Sequence, residues 1–139
     1  MALSLINLER ALRQGKTPES LKAEFLQKGA QKAGYLYITS KGMKVVIKLD
    51  SGGYNNSNQK RPPDLTSYGC KTIYQTLAGK YIIQEYVTPL RMRGSNVDNV
   101  PTHHPAWDIF WKINRHEAGD YHAANFGIDT LGRLTCFDW

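Results

Sequence analysis

The chain has 139 residues, a length that one domain with a sizeable apolar core accommodates. Apolar residues make up 41% and charged residues 22%, a mix that excludes a disordered polymer, and runs as short as Val45-Val46-Ile47 exclude a bilayer-spanning helix. Eighteen Lys and Arg against twelve Asp and Glu leave a net charge of +6, which suits a polyanionic partner such as nucleotide, nucleic acid or an acidic protein surface.

Met1 to Ile6 carries no basic stretch and meets Glu9 almost at once, so no secretory leader is expected. Leu5, Leu8 and Leu12 recur on one face, with Ile6 beside them and Gly15 as a stop, predicting a short amphipathic helix over 3–14. Thr17-Pro18-Glu19-Ser20 has the form of an N-cap followed by Pro, and predicts a second helix striped by Leu21, Phe25 and Leu26 and ended by Gly29. Two strand-like runs follow, Tyr35 to Thr39 and Lys44 to Leu49, joined through Ser40-Lys41-Gly42-Met43. Residues 51–68, rich in Gly, Pro, Asn and Ser, read as a polar loop. A second hairpin is predicted from 71–76 and 81–87, with its turn at Ala78-Gly79 and Pro89 ending it. After a loop over 91–105, residues 106–117 are expected to form a helix offering Trp107, Phe110, Trp111 and Ile113 for burial, two at least of its three large aromatics going to the core. Phe126 to Ile128 and Leu134 to Phe137 flank the Asp129-Thr130-Leu131-Gly132-Arg133 turn as a last hairpin. The fold class expected is α+β, with an antiparallel sheet of about four strands.

Cys70 and Cys136 make no metal pattern and no disulfide framework, so both are read as reduced thiols in a cytoplasmic protein. The basic residues are scattered, without five like charges in a row, and are read first as a solvated surface and second as a nucleic-acid site. His103, His104, Asp108, His116 and Glu117 invite a metal reading, but their spacing fits no zinc pattern.

The segment from Gly119 onward is the most informative. Asp120 is followed five residues later by Asn125, and thirteen residues after that by Asp138 in an apolar setting. Taken singly, Asp120 reads as a turn cap, Asn125 as a loop bridge and Lys48 as a solvated strand lysine. Jointly the spacing resembles that of protein kinases and related small-molecule phosphotransferases. The Gly119-Asp120-Tyr121-His122-Ala123-Ala124-Asn125 form is similar to the bacterial, phage and aminoglycoside-type kinases. Val45-Val46-Ile47-Lys48 is similar to the strand whose Lys reaches the nucleotide phosphates. Residues 29–139 therefore resemble a minimal or truncated kinase-like protein, of phage or bacterial-effector type, and a single domain is expected over 1–139: N-terminal helices over 1–28, a sheet resembling a kinase N-lobe over 35–90, and a helix plus catalytic-type loop over 106–139.

The resemblance implies ATP and Mg²⁺ as cofactors. Asp120 would orient the acceptor hydroxyl as the catalytic residue, and Asn125 and Asp138 would ligate Mg²⁺. Lys48 would neutralise phosphate and face Asp138, while the backbone of Glu85 and Val87, in a hinge from Glu85 to Leu90, would meet the purine. His122 is expected to brace the loop rather than act as a base.

The departures from the pattern are specific. Gln31 stands where the glycine loop bounded by Gly29 and Gly34 needs its middle Gly, no Glu lies between Glu24 and Glu85 to pair with Lys48, and the sequence ends one residue after Asp138. The expected function is hence binding of a macromolecular partner, a protein first and nucleic acid second, with nucleotide retained weakly and no membrane involved. Arg91 and Arg93 are expected among the binding charges. An active small kinase is the first alternative, and a basic inhibitor or nucleic-acid-binding protein without a nucleotide site the second.

Overall fold

A computed structural model describes residues 1–26, 34–49, 65–92, 94–116 and 122–137. It is α+β and divides into two compact units. The first comprises Met1–Lys60 and Tyr74–Tyr86, and the second Arg61–Ile73 and Val87–Trp139.

Unit 1 begins with helix α1, Leu5–Arg13. Ser4 caps it by accepting the Asn7 N–H, and Arg10 and Arg13 in the last turn complement the helix dipole. Leu8, Ala11 and Leu12 are its buried positions, matching the predicted stripe at Leu8 and Leu12. The sheet contains β1 (Glu24–Leu26), β2 (Gly34–Ile38), β3 (Lys44–Leu49), β5 (Gln75–Ala78) and β6 (Tyr81–Glu85); it is antiparallel throughout, in the order β1-β2-β3-β6-β5. Val45 and Ile47 of β3 join Tyr37, Tyr81 and Ile83 against Leu8 and Leu12, forming the core of this unit. Side chains alternate along a strand, so Val46 and Lys48 occupy the opposite face.

The predicted second helix does not form. Thr17 and Ser20 spend their hydroxyls on each other's backbone N–H groups, and the chain turns at Pro18–Lys22. Lys22 adopts φ 61°, a left-handed conformation that ends any right-handed helix. Glu24 and Phe25, freed from that helix, pair with Leu36 and Tyr35 as an edge strand. The stripe of Leu21, Phe25 and Leu26 therefore belongs to a turn and a strand.

Unit 2 holds a four-stranded sheet in the order β4-β9-β8-β7, built from β4 (Lys71–Thr72), β7 (Thr88–Pro89), β8 (Phe126–Ile128) and β9 (Leu134–Cys136). The predicted strand over 71–76 is thus split. Lys71 and Thr72 run parallel to β9, while Gln75–Ala78 pairs with β6 across a turn at Gly79-Lys80. Pro89, which cannot donate to a ladder, lies on the edge strand. Helix α2, Pro105–His116, packs Trp107, Phe110 and Ile113 into a core with Leu90, Phe126 and Leu134. The Phe110 ring meets Phe126 at 5.2 Å and Trp107 at 5.7 Å, both edge-on. Trp107 and Phe110 are buried, and Trp111 stays half exposed, as two of three large aromatics were expected to be internal.

Both cysteines are free and buried in this unit. Burial pushes the Cys70 thiol up to about 11, although the Cys136 backbone N–H opposes that shift. Thiolate is the nucleophile, so alkylation of Cys70 by iodoacetamide at neutral pH is expected to be slower than that of a free cysteine by orders of magnitude. Mass spectrometry after timed quenching measures it. Labelling in the native protein as fast as in urea would contradict the buried placement.

Candidate functional site

The residues singled out by spacing fall on both units. In unit 1, Lys48 lies near the end of β3, half-buried, with Ile82 as its cross-strand partner. Its stem runs beside Gly34, where an added Cβ would stand 3.6 Å from Lys48 Cγ and 2.7 Å from Val46 Cγ1. The glycine keeps this face of the sheet low beside the lysine. Glu85 closes β6 opposite Val45, and its N–H donates to the Tyr74 carbonyl at 2.9 Å. The next N–H, of Tyr86, donates to the Lys44 carbonyl at 3.1 Å. Those two amides of the expected hinge are therefore committed to unit 1.

The hinge segment is where the chain leaves unit 1, since the boundary falls between Tyr86 and Val87. Val87 is buried, and its side chain lies against Gly127. Leu90 N–H donates to the Phe126 carbonyl at 2.8 Å, fastening the far end of the segment to β8.

In unit 2, Asn125 is half-buried at the entrance to β8. Its N–H donates to the His122 carbonyl at 2.9 Å, and its own carbonyl accepts the Phe137 N–H at 3.0 Å. With Phe126 opposite Cys136, this bond extends the β8–β9 hairpin by one step and sets Asn125 across from the residue preceding Asp138. Asp120 and Asp138 themselves lie outside the described residues, as do Gly29, Gln31 and Arg93. His122 is exposed, and its backbone carbonyl closes the turn into Asn125.

Beside this turn is a cleft of about 340 Å³ lined by residues 91–92 and 94–96 and by residues 122–124, Arg91 and His122 among them. Arg91 is not a free surface charge. Its Nε donates to Asp98 Oδ1 at 2.7 Å, and its guanidinium lies 5.3 Å over the Trp107 ring. Reversing its charge would strip both contacts, so Arg91 is a poor probe of partner binding.

Two histidines of the metal reading, His104 and His116, have structural contacts. His104 Nδ1 accepts the Ala106 N–H at 3.0 Å and its carbonyl accepts the Trp107 N–H, so it caps α2. His116 stacks on Tyr68 with ring centroids 6.4 Å apart. Among the described residues no three His, Cys, Asp or Glu side chains converge as a metal site. No described helix is long and apolar enough to cross a membrane.

Spacing did not single out Asp129, which carries a network of four polar contacts. Its Oδ1 accepts the N–H groups of Leu131 and Arg133, both at 2.9 Å. Its Oδ2 meets Arg133 Nε at 2.8 Å and Lys71 Nζ at 3.4 Å. Burial pushes this carboxyl up, but the backbone and side chain of Arg133 and the N–H of Leu131 together hold it below the ordinary aspartate value. The Asp followed by Gly three residues later was legible only as a turn.

Compared with family models, curated proteins and solved structures, the chain matches none.

Proposed function

We propose that this is a compact kinase-like protein that acts mainly by binding a macromolecular partner and retains weak nucleotide and Mg²⁺ binding. One observation carries the reading: the bond from Phe137 N–H to the Asn125 carbonyl sets the proposed metal ligand Asn125 across the hairpin from the residue next to Asp138. Asp138 is the next residue in the sequence after Phe137. Side-chain oxygens of Asn125 and Asp138 would suit a hard cation that keeps several of its waters. The succession of two hairpins, a crossing segment, a helix and a final hairpin, with Lys48 on the second strand of the first hairpin, supports the same reading.

In this reading Lys48 neutralises phosphate, Glu85 and Val87 flank the purine-facing segment, Asn125 and Asp138 hold Mg²⁺, and Asp120 orients an acceptor hydroxyl. Phosphoryl transfer is mostly positioning and charge stabilisation. With Gln31 where the middle Gly of a glycine loop would stand, turnover is expected to be slow or absent.

Titration calorimetry with ATP and Mg²⁺ tests this. Weak, Mg²⁺-dependent binding is expected, reduced on the order of tenfold by Asp138→Ala or Lys48→Met, since each removes one charge contact to the phosphates. No heat at any accessible ATP concentration would overturn the nucleotide site. Robust transfer of a labelled γ-phosphate, abolished by Asp120→Ala, would replace the binder with an enzyme.

A further inference from the structure

The net charge is not shared between the units. Unit 1 contains eleven Lys and Arg against five Asp and Glu, and unit 2 seven against seven, so the whole excess of +6 belongs to unit 1. Within unit 1 the fold gathers part of that excess at one place. The Gly79-Lys80 turn packs on the C-terminal end of α1, where a Cβ on Gly79 would stand 3.2 Å from the Leu12 carbonyl and 3.3 Å from Arg13 Cα. Arg13 Nη2 donates to the Leu77 carbonyl at 2.6 Å and locks the turn to the helix. This joins residues 10–18 to residues 75–84, which together carry Arg10, Arg13, Lys16 and Lys80 and no acidic residue. All four cations are exposed. The acid of α1, Glu9, reaches instead toward the Tyr74 hydroxyl at 3.5 Å.

From this we infer that the α1 end of unit 1 binds a nucleic-acid duplex through its phosphates, independently of sequence. The helix dipole accounts for Arg10 and Arg13 in the last turn, but not for Lys16 beyond it or for Lys80 on a different element. The patch also lacks what other partners require. A protein interface is anchored by Trp, Tyr and Arg packed together at its centre, of which the patch has Arg alone, and single-stranded nucleic acid needs aromatic platforms for its bases. The aromatic ring on these two segments, Tyr81, is buried, with Lys80 Nζ 5.6 Å above its centroid. Charge without stacking surface fits a phosphate backbone, whose counterions each bound cation releases. The inference stands whether or not a nucleotide site exists elsewhere in the chain.

Fluorescence anisotropy of a short labelled duplex, titrated with the full chain over a range of salt, tests the assignment. Arg13 is left alone because it holds the turn. The triple variant Arg10→Glu, Lys16→Glu, Lys80→Glu should weaken binding on the order of tenfold to a hundredfold and flatten the slope of log K against log salt by roughly 2.7. Circular dichroism and thermal melting establish that the variant is folded. If it is not, the neutral set Arg10→Gln, Lys16→Gln, Lys80→Gln replaces it, with a smaller loss of the same sign expected. Lys112→Glu with Arg115→Glu, on α2 of unit 2, should leave the affinity within roughly twofold. An equal loss from the α2 pair, no duplex binding by the native chain, or equally tight binding to single strands or to polyglutamate would each overturn the proposal.

Discussion

Gly127→Ala is expected to destabilise unit 2 more than any other single-methyl addition at a described glycine. Gly127 sits in β8 opposite Pro89, and the Cβ of an alanine there would collide with the Thr88 carbonyl oxygen and Val87 Cγ1, with Thr88 C at 2.7 Å. Two of these three atoms are backbone, so no rotamer change relieves the contact, and β7 must move off the sheet edge. Overpacking of this kind costs about 3 kcal/mol at the upper end of its usual range, equivalent to a fall in midpoint of roughly 10 °C for a domain of this size. The control is Gly94→Ala. Gly94 has φ 74° and nothing within 4 Å of an added Cβ, so that change costs only left-handed backbone strain, about 1 kcal/mol. Thermal or urea melting of both variants measures the difference, and a Gly127→Ala midpoint as high as that of Gly94→Ala would refute the close approach. The contact also bears on the proposed site, because β8 continues directly from Asn125.

Which parts of this architecture were legible depends on how local their causes are. The spacing of Leu8 and Leu12 with Gly15 beyond specifies α1 within a few residues, and the alternation over 44–49 specifies β3, because burial of a helical stripe or a strand face is a property of neighbouring residues. The Thr17-Pro18 signature misled for the opposite reason. A capping hydroxyl serves a turn as readily as a helix, and what decides is the pairing of Glu24 and Phe25 with residues of β2, which no local pattern contains. The split at Ile73-Tyr74 is likewise decided by two different partners, β9 on one side and β6 on the other. For the site, residue types at a fixed spacing singled out Asn125, and the hairpin pairs it with Phe137, twelve residues on. Asp129 was read only as a turn residue: three of its four contacts are to Leu131 and Arg133 within that turn, and Lys71 joins them from a strand far away in sequence. The concentration of the net charge in unit 1 was invisible too, because the units are interleaved in sequence and scattered cations converge only when Gly79 meets α1.

Replacing Asp129 should produce the second large effect, with a pH signature of its own. Asp129→Ala removes the acceptor for two turn N–H groups and for the side chains of Arg133 and Lys71. The two cations are partly solvated and lose little on release, so the cost comes mainly from the unpaired backbone donors, about 3 kcal/mol in all. Asp129→Asn keeps an oxygen that can serve the N–H groups but loses the charge, and about half that cost is expected. The sign of the pH dependence follows from the lowered carboxyl. A group whose folded value lies below its unfolded one contributes stability above the unfolded value and loses it as pH falls through the folded value. The gap between the native chain and Asp129→Asn, measured by urea melting, should hence be constant from neutrality down to about pH 5 and close below about pH 4. A gap that is unchanged at the most acidic point where both chains still fold would show that the ionised carboxylate is not what holds the β8–β9 turn.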